Sequence, residues 1–430
     1  MSTKLENLQM KFQSVAGVIN NNKYIKAISE GLLATLPVLI IGAFSTLLAN
    51  LGIQKYQEFL ETTNLKILIE APSLLTISAI SLYAVFFIAY RLAKQYEQEG
   101  AGAGLIALVS FLILTPIEQL ESGANALPFL YLGAPGLFTA ILVGLVSARI
   151  YVYIVQKGWT IKMPAGVPPT VSKSFANLIP AFIIVIFFLM IYSLFKLTSF
   201  GSLHAGIYSL IQAPLQELGS GFWSLVIVVL LINLLWFLGI HGGLVLSPVL
   251  MTVWMPLGLE NLEAIAQGKE HTNIVTMALY SEFISLGGAG ATIGLCLLMA
   301  FIAKSKRYKT LGKLALPASF FSINEPLMFG TPIVLNPYMI IPIILAPVTI
   351  AISTYSVMVL GILPIANGTP MPVGSPLFIG GFVQGGILLA VWQLLCIGIS
   401  VAIYYPFFRI LDKQALKEEV EEGKPNSNDK

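Results

Sequence analysis

The chain has 430 residues, of which 56% are hydrophobic and 10% charged, and its mean hydropathy is +0.84. Soluble domains carry about 25% charged residues, so this composition cannot supply a polar shell and the bilayer is the expected solvent. A formal net charge of +3, with no basic segment interleaved with aromatics, excludes nucleic acid as a partner.

Taken in chain order, residues 1–31 are amphipathic and charged, with no short apolar core ahead of a small-residue cleavage site, so no cleaved signal peptide is expected. Apolar runs then recur at roughly the 20-residue length of one helical crossing. They fall at 31–51, 74–92, 102–117, 135–154, 178–197, 222–238, 244–257, 285–303, 338–360 and 387–408. Uninterrupted runs of this length argue against an outer-membrane barrel, whose strands alternate in polarity over about ten residues. The expected fold is an all-α integral membrane protein with about ten transmembrane helices.

Basic residues test this threading, because cytoplasmic loops hold them in excess. With the N-terminus inside, Lys4 to Lys26, Arg91 and Lys94, Arg149 to Lys173, Lys304 to Lys313 and Arg409 to Lys430 all fall on one side. Only Lys55, Lys66, Lys196 and Lys269 fall elsewhere. Both termini are therefore expected in the cytoplasm of a multi-pass protein of a bacterial inner membrane.

Two stretches do not read as plain helices. Residues 258–290 mix Glu270, His271, Thr272, Asn273 and Glu282 with apolar residues and end in Gly-Gly-Ala-Gly. Residues 311–337, LGKLALPASFFSINEPLMFGTPIVLNP, hold four prolines with Asn324, Glu325 and Asn336. Broken backbone at membrane depth is tolerated only where protein buries it or it lines a cavity, so both are expected as re-entrant hairpins. The plainer first half predicts a division into 1–199, a five-helix scaffold and dimerisation unit; 200–220, an amphipathic connector; 221–411, a transport unit with the site; and 412–430, an acidic cytoplasmic tail that looks disordered over KEEVEEGKPNSNDK, residues 417–430.

Ionisable residues at membrane depth are costly and are functional candidates by default. Glu325, before a proline inside an apolar segment, can accept hydrogen bonds from sugar hydroxyls or bind a cation or proton; it can also cap the short helix that follows. Asn324 beside it adds a donor and an acceptor. His241, in Gly-Ile-His-Gly-Gly, offers one donor and one acceptor to a hydroxyl, or serves a tight interhelical turn. Glu282 either faces the cavity or pairs across helices. Trp236 and Trp392 can stack on a sugar ring or mark the membrane interface. His204 is expected at the interface, His271 in a polar loop, and Asn367 in an outer entrance loop. Cys296 and Cys396, far apart in apolar runs, read as buried thiols and form neither a disulfide scaffold nor a redox pair. No HExxH, GxSxG, Walker or dinucleotide motif is present, and the only aspartates are Asp412 and Asp429. No metal, cofactor or catalytic residue is expected, and the chain reads as a transport subunit rather than an enzyme.

At GIHGG and SINEPLMFGTPIVLNP, preceded by the basic SKRYKTLGK run, the sequence resembles the EIIC subunits of the sugar phosphotransferase system, in particular the lactose/cellobiose/N,N'-diacetylchitobiose family. The resemblance covers essentially the whole chain. It implies a homodimer of ten-helix protomers joined through N-terminal helices, with a disaccharide held by C-terminal helices and the two hairpins. It places Glu325 and His241 at the family's sugar-contacting carboxylate and histidine. It further implies phosphorylation of the sugar by a cytosolic EIIB phosphocysteine charged through EIIA. No polar cysteine loop follows the last helix, so EIIB is expected as a separate polypeptide, with Lys304–Lys313 a candidate docking face. The rival reading is a cation-coupled secondary sugar transporter in which Glu325 binds a proton or sodium; a further one is a scaffold that binds no sugar.

Overall fold

The computed structural model describes residues 10, 14, 17–18, 21–50, 54–164, 166–331, 333, 335–336, 338–372 and 374–422. Apart from a two-residue antiparallel pair, Glu118–Gln119 with Asn125–Ala126, its regular elements are helical. Seven helices are long and apolar enough to cross a membrane, and the bent pair Leu203–Gly219 and Phe222–Phe237 makes an eighth span. Two shorter apolar helices, Gly100–Leu114 and Ile293–Ile302, occupy the remaining expected positions. Each of the ten apolar stretches thus has a helical counterpart, and the chain is a multi-pass membrane protein.

The chain divides into two compact units. The first holds Val18–Gly219 with Pro248–His271. At its centre is the helix Ile80–Gln95, whose Ile80, Ala84, Val85, Ile88, Ala89, Leu92 and Ala93 are inaccessible. Small residues on its neighbours bring their backbones close, as helix pairs in lipid do where packing replaces a hydrophobic drive. A side chain at Gly31 would sit 2.7 Å from Ile88, and one at Gly144 would crowd Val85 and Ile88. The helices of this unit are less plain than expected: a 3₁₀ turn, Ile77–Ala79, follows the internal Pro72, and a π turn lies at Tyr208–Gln212.

The change of unit comes at Gly219. Pro248–His271 packs with the first half: Trp254 donates its indole N–H to the Gly219 carbonyl at 3.1 Å, and Gln216 donates to Glu260 at 2.8 Å. The physical reason is burial of polar groups, since Asn261 and Gln216 are inaccessible or nearly so and need partners within this unit.

The second unit holds Ser220–Ser247 and the described part of Thr272–Lys430. Its first hairpin is shorter than the expected 258–290. Met277–Leu279 and a π turn, Tyr280–Ile284, lead to a glycine-rich tip, and Ile293–Ile302 leads away. The second hairpin has a long arm, Lys306–Phe320, a tip at 321–324, and a short arm, Glu325–Gly330, with Pro326 in its first turn where a missing N–H costs nothing. After the helix Ile340–Val359 and a Pro/Gly-rich loop, the last helix runs from Ile379 to Glu422, broken at Gly385 and Gly386. Its second limb begins where the sequence predicts but continues past residue 408, so residues 417–422 are helical and not part of a disordered tail. Residues 423–430 lie outside the described ones. The cause of the extension is side-chain pairing. Asp412, 3% exposed, accepts from the backbone N–H of Lys304 and Ser305 and from the Ser305 hydroxyl, and Glu419 accepts from the N–H groups of Lys306 and Arg307. These carboxylates complete the N-terminus of the Lys306–Phe320 arm, whose first N–H groups have no partner within their own helix.

Candidate substrate site

The site is built where helices stop. The glycine-rich tip of the first hairpin exposes backbone polar groups that lipid cannot satisfy, and side chains of the same unit take them up one by one. Asn233, 2% exposed in the apolar helix Phe222–Phe237, accepts the Gly290 N–H at 2.6 Å. Tyr404, inaccessible on the last helix, donates to the Gly290 carbonyl at 2.8 Å, and Ser400 donates to Ala291. From the facing tip, Asn324 donates its amide to the Ala289 carbonyl at 2.8 Å, and Ser322 accepts the Gly287 N–H at 3.3 Å. Gly288 has φ +95°, and a Cβ there would lie 2.7 Å from Asn324 Cβ. The two tips are therefore interlocked, with Asn324 as the bolt.

Directly after Asn324 stands Glu325, exposed on the first turn of the short arm, with no hydrogen bond or ion pair among the described residues. Its carboxylate lies close enough to His241 to act on that ring electrostatically. Two features bring the two together. The chain beyond the short arm is tied to the helix before His241 by the Leu335 N–H donating to the Phe237 carbonyl at 3.0 Å. That helix then turns through Gly239, at φ +78°, into Gly242, where a Cβ would lie 2.9 Å from Ile232 Cα. The turn presents His241 outward. Its Nδ1 accepts the Leu244 N–H at 3.1 Å, which puts the proton of the neutral ring on Nε2 and leaves one outward donor. A carboxylate acceptor and an imidazole donor can together serve a hydroxyl group, which is both.

Trp236 is buried, 7% exposed, with its ring 4.4 Å from that of His241. Trp392 is half-buried and donates its indole N–H to Thr354 at 3.0 Å, joining the last helix to Ile340–Val359. Glu282 is also buried, on the limb that enters the first tip. Ser281 donates to its carboxylate at 2.9 Å, and the carboxylate rests on Gly380, where any side chain would displace it. Gln393 fixes that neighbourhood, donating to the Glu282 carbonyl at 2.6 Å and accepting the Phe378 N–H at 2.7 Å. No group of three or more His, Cys, Asp or Glu side chains able to hold a metal occurs among the described residues.

Other expectations sort cleanly. His204 is not an interfacial side chain but inaccessible in the first unit, its Nε2 3.2 Å from the Thr115 hydroxyl and its ring stacked on Tyr131. Asn367 is a turn-former: it donates to Val383 and accepts from Thr369, holding its loop on the broken start of the last helix. Cys296 and Cys396 are free, buried thiols. Asn233, Ser400 and Tyr404 carry no local mark in the sequence. Their signal was a polar group facing inward from an apolar helix, which becomes visible only when the tip they serve is in place.

Interrupted helices whose tips meet beside exposed polar groups, in a unit of membrane-spanning helices, define a multi-pass membrane transporter. Residues 29–347 match the family described as Phosphotransferase system, EIIC, and the chain belongs to that family. It is 38% identical over 427 residues to the oligo-beta-mannoside-specific EIIC component of Bacillus subtilis (strain 168), covering 97% of this chain and 96% of that one. It is 36% identical over 437 residues to the cellobiose-specific EIIC component of Geobacillus stearothermophilus, again covering 97% and 96%. The crystal structure of ChbC, the IIC component of the N,N'-diacetylchitobiose-specific phosphotransferase system, superposes with a TM-score of 0.89 at 35% identity, over 97% of this chain and all of that one.

Proposed function

We propose that the chain binds a β-linked disaccharide, N,N'-diacetylchitobiose or cellobiose, and carries it across the bacterial inner membrane for phosphorylation by a separate EIIB charged through EIIA. The observation that carries this reading is the exposure of the Glu325 carboxylate and the outward His241 donor within one unit, in a chain of this family. Glu325 and His241 hold one sugar hydroxyl between acceptor and donor and present it to the phosphocysteine. Asn324 stands behind them through its bond to Ala289, Trp236 braces the His241 ring, Trp392 ties the last helix, and Glu282 lines the far side of the tip.

Dimerisation through the first unit and cytoplasmic placement of both termini complete the proposal, the second from the one-sided lysines and arginines.

Equilibrium binding of labelled chitobiose, cellobiose and lactose to the purified protein tests the site. Glu325→Gln and His241→Ala are expected to weaken binding, and unchanged affinity in both removes the assignment. Uptake separates the mechanisms. Phosphorylated sugar formed only with EIIA and EIIB supports this reading; free sugar that accumulates and collapses with the ion gradient supports cation coupling through Glu325. Absence of sugar binding leaves a scaffold.

A further inference from the structure

A second concentration of chemistry lies in the first unit, at the end of the spans where its basic residues gather. Lys23 Nζ sits 4.1 Å from the centroid of the Tyr96 ring, and the Arg149 guanidinium carbon sits 5.2 Å from the same centroid. The Tyr24 hydroxyl faces the same group, near enough to Tyr96 and Arg149 to interact electrostatically with both. Around them Lys94 lies over Tyr90 and Lys157 over Tyr153, whose ring meets Trp159 edge-on. Helix packing assembles this collar: Lys23 opens the first helix, Tyr90, Lys94 and Tyr96 end the helix Ile80–Gln95 or follow it, and Arg149 stands in the last turns of Leu137–Gln156.

The cations of the collar rest on aromatic faces and not on carboxylates. Among the described residues Lys23 and Arg149 form no ion pair. Of the nearby acids, Glu30 already faces Lys26 at 3.9 Å and Arg91 at 3.8 Å. Glu99 caps the next helix by accepting from Ala101 and Gly102, and Glu97 makes no ion pair. Two positive groups thus converge on one ring, neither paired with a carboxylate among the described residues. An aromatic face attracts each cation but leaves its N–H donors free. Tyrosine and tryptophan at the ends of spans mark headgroup depth, where the anion in reach is a phosphodiester. A guanidinium can grip it with two parallel hydrogen bonds and an ammonium with a third.

We propose that Lys23 and Arg149, held on Tyr96 and Tyr24, form a binding site for the phosphate of an anionic phospholipid. The phenol rings set the height and the two cations supply the selectivity over zwitterionic lipid. The site is independent of the sugar site and of its assignment.

The test uses the full chain purified in detergent, with bound phospholipid counted by native mass spectrometry after titration with phosphatidylglycerol, with phosphatidylcholine, or with soluble glycerol phosphate. Wild type is expected to prefer phosphatidylglycerol. Lys23→Gln/Arg149→Gln should weaken that lipid roughly thirtyfold for two charges removed, with phosphatidylcholine binding unchanged. Lys162→Gln/Lys173→Gln, which removes two exposed basic residues outside the collar, should behave as wild type; that variant and the circular dichroism spectrum of each protein guard against a folding defect. Equal phosphatidylglycerol binding by wild type and the Lys23/Arg149 variant overturns the site. A loss of the same size in the control variant overturns it in favour of diffuse surface charge, and competition by glycerol phosphate as effective as by the lipid shows a phosphate site with no membrane role.

Discussion

Asn324 is the position at which support and contact can be told apart. Its amide donates to the Ala289 carbonyl at 2.8 Å, and the residue is 4% exposed. Asn324→Ala leaves that carbonyl buried without its partner, which costs about 1–3 kcal/mol. The loss acts on the equilibrium between locked and open tips, so the apparent sugar affinity falls by the fraction of molecules still locked, at most roughly 5- to 150-fold. Because the side chain faces the other tip, chitobiose, cellobiose and any other ligand should lose affinity by the same factor. Amide hydrogen exchange at residues 287–291 should accelerate in parallel, since these N–H groups are exposed only when the tips part. Labelled-sugar binding and exchange, measured on one preparation, decide the matter. An affinity loss confined to one sugar, or a loss with exchange unchanged, refutes the role and makes Asn324 a direct contact.

Other outcomes follow from the same geometry. Tyr404→Phe removes the hydroxyl that donates to Gly290 and should lower stability by about 1–3 kcal/mol, read as a lower thermal midpoint in detergent. Gly380→Ala places a methyl on the Glu282 carboxylate and should cost about 1–3 kcal/mol by overpacking, relieved in part by Glu282→Ala; lack of any rescue would show that the strain lies elsewhere. Asp412→Ala strips a buried cap from the Lys306–Phe320 arm and should cost about 1–2 kcal/mol, and Glu419→Ala, at a half-buried position, should lower the thermal midpoint by less.

Much of this architecture is legible in the sequence because lipid imposes one rule on every crossing. Each apolar run had to close its own hydrogen bonds, and so became a helix near its expected place. The same rule exposed the second hairpin, where proline and asparagine interrupt an apolar run. It misplaced the first hairpin's start, because Gly258 reads as a breaker but lies inside the helix Met255–Ala266, held by packing within the first unit. Glu325 and His241 stood out as costly groups with no local use. Asn233, Ser400 and Tyr404 did not, since a polar residue that bonds a backbone group of a distant segment carries no local pattern. The burial of His204 is hidden in the sequence for the opposite reason. Its segment looks amphipathic, yet Phe111 and Tyr131 from elsewhere in the unit enclose the ring.

The acidic end of the chain shows how composition without direction misleads. Asp412 and Glu419 are seven residues apart, two turns of one helix face, and that face meets four consecutive N–H groups from Lys304 to Arg307. The helix they complete is 15 residues long, so it extends about 22 Å. At its other end the chain passes directly into the tip that Asn324 bolts to Ala289, and then into Glu325. An α-helix capped by side chains at one end and interlocked at the other can yield at two places, Pro317, whose missing N–H breaks the ladder inside the arm, and the turn at residues 321–324. Displacement of the basic end therefore appears at these two places, both next to the tip. Charges that look like a solvated tail are thus part of the support of the candidate site, as firmly as the asparagine beside its carboxylate.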